Sequence, residues 1–280
     1  MAKLQIMLLG CGKMGSAMLK GWLADTCLDA QFTIIEPFAD HLDWVRAHQS
    51  VAVYHDCEAA IGAEAPVNSV IVLAVKPQMM DEAIAAFGPL SDDKTAFLTI
   101  AAGISTAWLK ARLGADAPVL RAMPNTPAAI GRGVTALYCD SAAAEMAALA
   151  RQLLRTIGTV VAIDDETLMD AVTAVSGSGP AYFFLVMEAM QKSAEAFGFT
   201  SEQASLLVQQ TAFGASKLAM ESPDSAAVLR EKVTSKGGTT EAAINQLQAS
   251  GLEGIFDNAL KAAANRSIVL SGGKPAIEKS

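Results

Sequence analysis

The residues of this chain that could do chemistry fall into a few short runs of glycine, hydroxyl and small side chains. The first run is Gly10-Cys11-Gly12-Lys13-Met14-Gly15, placed directly after an apolar segment and opening a helical pattern. In that setting Gly10 allows a tight turn, Gly12 lets the backbone approach a pyrophosphate, and Gly15 permits close helix packing. The unsatisfied N–H groups of the helix start then face the phosphates. The pattern is unspecific by itself, and its strand–turn–helix context gives it weight. Glu36 closes the next predicted strand about 20 residues further on, where an acid hydrogen-bonds the adenosine ribose 2′-hydroxyl. A carboxylate there repels a 2′-phosphate and favours NADH over NADPH. An ordinary loop acid, followed by Pro37, is the competing reading.

Later runs are Ala74-Val75-Lys76-Pro77-Gln78, Ala101-Ala102-Gly103 and Met123-Pro124-Asn125-Thr126-Pro127. Each lies at the carboxyl end of a predicted strand, where open sheets bind ligands, and their small residues let a nicotinamide ribose lie against backbone. Val233-Thr234-Ser235-Lys236-Gly237-Gly238-Thr239-Thr240 precedes a helix. Two glycines and flanking hydroxyls there make a nest of backbone N–H donors suited to a carboxylate. A capping box with Thr239 or Thr240 as N-cap accounts for one hydroxyl but does not require the glycine pair. Ser176-Gly177-Ser178-Gly179-Pro180-Ala181-Tyr182 reads either as a helix entry or as a ligand contact.

The elements that must position these runs alternate first and then change character. Strands are predicted at Leu4–Leu9, Phe32–Ile35, Ser69–Val75, Thr95–Ile100 and Val119–Ala122, with helices at Ser16–Ala24, Asp40–His48, Asp81–Phe87 and Thr106–Leu113. That alternation means a mostly parallel sheet covered on both faces. From Glu166 onward the pattern is helical only: Thr167–Val175, Pro180–Phe197, Ser201–Met220, Ser225–Val233, Thr239–Ser250 and Leu252–Leu270. The expected organisation is an α/β dinucleotide-binding domain over residues 1–163 and an all-helical domain over 164–280. The C-terminal helices are rich in Ala, Leu, Val and Met on both faces, so a second copy of the chain is expected to cover them.

Composition excludes several classes. Of 280 residues, 52% are apolar and 18% charged, which is globular rather than disordered. A net charge of −8 argues against a nucleic-acid partner. The apolar run Ala181–Met187 is far below the roughly 20 residues a bilayer requires, and the start lacks a cleavage-site pattern, so neither a membrane span nor a signal peptide is expected. Cys11, Cys27, Cys57 and Cys139 are widely spaced and form no zinc pattern, so reduced thiols in a cytoplasm and no metal site are expected. His41, His48 and His55 are the three histidines. A histidine base would therefore have to come from the N-terminal domain.

Taken in order, Gly10–Gly15, Ala74–Gln78, Met123–Pro127, Ser176–Tyr182 and Val233–Thr240 resemble pyrroline-5-carboxylate reductases over nearly the whole chain, the last two runs most specifically. The resemblance implies a Rossmann-type sheet, a helical dimerisation domain with interlocked chains, and a ring of dimers, a decamer. It implies NADPH or NADH bound by Gly10, Cys11, Gly12, Lys13, Met14, Gly15, Glu36, Ala74, Val75, Lys76, Pro77, Ala101, Ala102 and Asn125. It further implies that Ser235 and the backbone of Gly237, Gly238 and Thr239 hold the substrate carboxylate. The Thr240 hydroxyl would meet the ring nitrogen, and Glu221 and Glu166 would lie near the substrate or its water network. Two departures stand out: Lys236 where the family usually has Pro, and Asp56-Cys57-Glu58 where it has an Asn.

The implied reaction reduces 1-pyrroline-5-carboxylate to proline, the last step of proline biosynthesis. A protonated cyclic imine accepts hydride readily, so positioning supplies most of the rate and no strong base is demanded. One rival is a β-hydroxyacid-type dehydrogenase, which needs a lysine a few residues past a glycine-rich turn; after Gly179 the next lysine is Lys192. The other is a non-catalytic NAD(P)-sensing dimer, which has no use for the Ser235–Thr240 run.

Overall fold

Alternating side chains of each central strand feed two different cores, which explains why the sheet must be covered on both faces. In the computed structural model, which describes residues 4–46, 48–63, 69–88 and 95–275, Ile6 and Leu8 of β1 (Leu4–Leu9) enter one core. Met7 and Leu9 enter the other. Val70 and Val72 of β4 (Ser69–Leu73) part from Ile71 and Leu73 in the same way. This is the two-residue period of a pleated strand.

The remaining strands are β2 (Ala30–Ile35), β3 (Val51–Tyr54), β5 (Ala96–Thr99), β6 (Val119–Met123), β7 (Gly133–Cys139) and β8 (Gly158–Ala162). Their order is β3-β2-β1-β4-β5-β6-β7-β8. Pairings are parallel except β6 with β7, which is antiparallel. A short 3-10 segment at Thr126–Ile130 joins β6 to β7, too little chain for a parallel crossover. The helices of this region are α1 (Lys13–Ala24), α2 (Asp43–Arg46), α3 (Cys57–Ala63), α4 (Met80–Ile84), α5 (Thr106–Leu113), α6 (Ala147–Arg155) and α7 (Met169–Val172). On one face Trp22 of α1 stacks on Phe32 at 5.8 Å between ring centres, and its Nε1 donates to the Leu153 carbonyl of α6 at 3.0 Å. On the other, Phe87 meets Phe97 edge to face, with Leu109 and Leu113 of α5 alongside.

Three strands, β3, β7 and β8, were not expected from the sequence. The predicted helix Asp40–His48 is a 3-10 turn, Ala39–Leu42, followed by α2; its residue 47 lies outside the described residues. The predicted helix Thr167–Val175 is broken into a 3-10 turn, α7 and a π-helical turn at Thr173–Gly177.

The other helices are α8 (Gly179–Ala196), α9 (Ser201–Glu221), α10 (Ala226–Lys232), α11 (Thr239–Ala249) and α12 (Leu252–Leu270). By internal packing the described residues form two compact units: those up to 178 together with 263–275, and 179–262. The change of composition noted after residue 163 therefore precedes the division in packing. The last turns of α12 also belong with the sheet, where Ser267 Oγ donates to Asp170 Oδ1 at 2.6 Å. Within the second unit α8 packs on α9, and a capping box of Thr200 and Gln203 starts α9. Among the described residues no helix is long and apolar enough to cross a membrane.

Candidate active site

The glycine-rich turn is held from several sides before any ligand is considered. Gly10 has φ +88°, a region glycine reaches without strain, and a Cβ there would lie 2.9 Å from the Ala74 carbonyl oxygen. A Cβ on Gly15 would come within 2.3 Å of the Gly10 oxygen, so α1 can start this close to β1 only with glycine there. The Cys11 peptide is fixed at both ends. Its N–H donates to Glu36 Oε2 at 2.7 Å, and its carbonyl accepts from Ser16 Oγ and His41 Nε2, both at 2.8 Å. His41 thus takes its Nε2-protonated form, a role that the sequence reading missed.

Gly12 is the exposed N-cap of α1, with no side-chain cap bond and no acid in the first helical turn. A Cβ at Gly12 would meet nothing within 4 Å. The first N–H groups of α1 are therefore available to an anion, with the exposed Lys13 beside them. These features fit a dinucleotide pyrophosphate. Glu36 is 9% exposed; its Oε1 accepts from Phe38 N–H at 3.1 Å, so both carboxylate oxygens are anchored at the end of β2.

Gly10 N–H donates to the Ile35 carbonyl at 2.9 Å, Ala74 N–H to Leu9 at 2.8 Å, and Ile100 N–H to Leu73 at 3.1 Å. These bonds bring Gly10, Glu36, Ala74 and Ala101 along one edge of the sheet. A cavity of about 210 Å³ opens there, lined by Gly10, Pro37, His55, Asp56, Cys57 and Val75 among others. Asp56 Oδ1 accepts from Ala59 N–H at 2.7 Å at the start of α3. Burial, followed by the nearby Asp56 carboxylate, pushes the Cys57 thiol up to about 11. Lys76 is exposed and precedes the 3-10 turn Pro77–Met79. A larger groove of about 700 Å³, beside Gly21, Arg151 and Arg155, contains none of the expected site residues.

Asn125 and Glu166 are both engaged inside the first unit. Asn125 is 8% exposed; its Nδ2 donates to the Ser176 carbonyl at 3.1 Å and its Oδ1 accepts from Val134 N–H at 3.0 Å. It thus ties the π-helical turn to β7. A Cβ on Gly177 would lie 2.7 Å from Met123 Cε, so that turn also sits closely on the end of β6. Glu166 Oε1 accepts from Thr106 N–H at 2.8 Å and from Arg121 Nη1 at 3.1 Å, while Oε2 accepts from Thr106 Oγ1 at 2.5 Å. Arg121, an arginine inside the apolar run Val119–Met123, was the available signal for this cluster, because a buried guanidinium needs a carboxylate.

In the second unit, Ser235 to Gly238 form a turn in which Gly238 N–H donates to the Ser235 carbonyl at 3.0 Å. Gly237 has φ +72°. Gly238 is the N-cap of α11 and no side chain caps the helix. The capping role considered for Thr239 or Thr240 is therefore not used, and both residues belong to the first turn of the helix. Gly237 N–H donates to Glu241 Oε2 at 2.7 Å. Glu221 ends α9, exposed, with Lys217 Nζ 3.8 Å away.

Over 269 residues the chain is 41% identical to the pyrroline-5-carboxylate reductase of Pseudomonas aeruginosa, covering 95% of this chain and 97% of that one. The chain belongs to the pyrroline-5-carboxylate reductase family. The Haemophilus influenzae pyrroline-5-carboxylate reductase is 38% identical over 94% of this chain and 96% of its own length. Among solved structures, a pyrroline-5-carboxylate reductase from Coxiella burnetii superposes with a TM-score of 0.87 at 34% identity, covering 95% of this chain and 98% of that one. The Plasmodium falciparum pyrroline carboxylate reductase with NADP bound shares the fold at a TM-score of 0.80 and 23% identity, covering 95% and 99%. Residues 166–270 match the family described as pyrroline-5-carboxylate reductase dimerisation, and residues 5–103 match NADP oxidoreductase, coenzyme F420-dependent. This reductase family membership accounts for both halves of the chain, a dinucleotide sheet and a helical dimerisation region.

Proposed function

We propose that this chain reduces 1-pyrroline-5-carboxylate to L-proline with NADH or NADPH, the last step of proline biosynthesis. The observation that carries the reading is the Ser235–Thr240 turn. It leads into α11 with no side-chain cap, in a chain similar to curated reductases of this name along almost its full length.

In this reading the N–H groups from Gly12 to Gly15, at the N-cap and first turn of α1, receive the pyrophosphate, and Glu36 receives the adenosine ribose. Small residues at Ala74, Ala101 and Ala102 leave room for the nicotinamide ribose beside Val75, Lys76 and Pro77. The bound reduced nicotinamide supplies the hydride. Ser235 Oγ and the backbone N–H groups of Thr239 and Thr240 at the start of α11 hold the substrate carboxylate, with Gly237 and Gly238 shaping the turn that presents them. The Thr240 hydroxyl oxygen accepts from the protonated ring nitrogen, keeping the adjacent carbon electrophilic, and hydride addition there leaves a secondary amine. Orientation, rather than proton abstraction, is what these groups contribute. Glu221 and Glu166 lie near the substrate or its water, and Asn125, held between Ser176 and Val134, lies beside the cofactor at the end of β6. The anchored Glu36 carboxylate favours NADH, whose ribose carries a hydroxyl instead of a phosphate.

The exposed apolar helices support a homodimer, and a ring of dimers, a decamer, is the assembly that sedimentation would test. Four free thiols support a reducing cytoplasm. The decisive experiment follows oxidation of the reduced nicotinamide with pyrroline-5-carboxylate as acceptor, using NADH and NADPH side by side. Turnover with formation of proline is expected, faster at low concentration with NADH. Cofactor binding without oxidation would replace this reading with the nucleotide sensor.

A further inference from the structure

Two of the backbone donors expected to hold the substrate carboxylate already have partners inside the chain. Gly238 N–H closes the turn onto the Ser235 carbonyl at 3.0 Å, and Gly237 N–H donates to Glu241 Oε2 at 2.7 Å. Glu241 is the third residue of α11, whose first intrahelical bond runs from Ala242 N–H to the Gly238 carbonyl. The N–H groups of Thr239, Thr240 and Glu241 are left over by helix geometry. A Cβ on Gly238 would lie 2.6 Å from Ser235 Oγ, so the serine hydroxyl rests against the start of the same helix.

The turn has a positive φ at its third residue, Gly237, and Lys236 at its second. That is the type II pattern, whose second position is best served by proline, with its ring-fixed φ. Lys236 gives no such restraint. The Glu241 carboxylate supplies one from the opposite side, tying the turn to the first turn of α11.

We propose that Glu241 is a positioning residue for the substrate carboxylate: it pins Gly237 and thereby holds Ser235 Oγ over the donors of Thr239 and Thr240 before the substrate arrives. The inference rests on the reductase reading above. In this role Glu241 acts through the turn and touches neither substrate nor cofactor. It also contributes an acid at the positive end of α11, a placement that favours the helix itself.

The test uses the full-length chain, with pyrroline-5-carboxylate varied at saturating cofactor. Glu241→Ala should raise the KM for pyrroline-5-carboxylate about tenfold, with kcat within about threefold and the KM for the nicotinamide unchanged. Adding Lys236→Pro to that variant should return the KM to within about threefold of wild type, since the ring restores the restraint. Glu241→Gln keeps an acceptor and should stay near wild type in KM. An unchanged or lowered KM in Glu241→Ala overturns the proposal, the lowered value marking Glu241 as a competitor of the substrate. A KM that Lys236→Pro fails to restore overturns it as well, as does a fall in melting temperature with no change in KM. If Glu241→Ala does not fold, a raised KM in Glu241→Gln/Lys236→Pro overturns it and one near wild type supports it. Wild-type chain that oxidises no cofactor with this substrate sinks the functional reading itself, whereas turnover with a flat KM across the variants sinks only the pin.

Discussion

The sheet unit and the helical unit are both written in apolar residues, yet only the first encloses them. In the sheet unit Trp22, Phe87, Phe97, Leu8 and Ile71 are almost fully buried. Between Gly179 and Ala262 the buried positions among the described residues are Gly179, Ala204 and Val208. Large side chains there face outward: Phe184 and Phe213 are each 61% exposed and Met220 83%. A unit that cannot fold its greasy surface inward is half of an interface. The match of residues 166–270 to a dimerisation family gives the covering partner as a second copy. Local stability in one half and stability by association in the other is the lesson of the contrast.

The comparison can be broken most directly by charging the exposed face. Phe184→Asp should convert the oligomer to smaller species in sedimentation and abolish turnover, while the variant still binds NADH. Retained assembly would mean that α8 faces solvent in the native oligomer. Glu166→Ala should act on the other half. It leaves Arg121 buried without its carboxylate, a loss of about 3 kcal/mol, read as a lower denaturant midpoint with the oligomer intact. Thr240→Ala should cut turnover roughly 10- to 100-fold, as loss of a hydrogen bond to a charged group does, with nucleotide affinity unchanged by fluorescence titration. An unaltered rate removes Thr240 from the mechanism.

The smallest effect is in alkali. The Cys57 thiol is pushed up to about 11, above its ordinary 9.0, by burial and then by Asp56. The folded state thus resists ionising it, a stabilisation present below about pH 9 and lost as pH rises through 11. The melting temperature should fall over that interval, and slightly less in Cys57→Ser. The reduction is partial because burial raises Cys11 and Cys139 too. Identical curves would mean that Cys57 contributes nothing.

Strong periodicity made much of the fold legible. The predicted bounds of β1, α5 and α12 coincide with the observed ones. The three unexpected strands lacked that signal. β3 is a four-residue strand at the end of the sheet and only partly buried. β8 lies at the opposite end with several exposed residues, so neither shows a sharp inside–outside alternation. β7 follows a proline-rich turn where the alternating pattern leads one to expect a helix, and its antiparallel return is set by the short link from β6. For the site, glycine spacing revealed both turns because the constraint is local. The Thr106–Arg121–Glu166 cluster joins residues 60 and 45 positions apart. Only folding brings such groups together, although the lone arginine in β6 advertised a hidden partner. The Glu241 pin was within reach of the capping pattern, but the N-cap is Gly238 instead of a threonine.

The tail of α12 carries a consequence for β5. A Cβ on Gly103 would lie 3.2 Å from the backbone at Leu270 and Ser271, so the segment bearing Ala101 and Ala102 leans on the end of α12. Crowding at that contact, as in Gly103→Ala, would part the two segments, and the φ of +76° there adds backbone strain. A single methyl group there would be felt at the carboxyl end of β5.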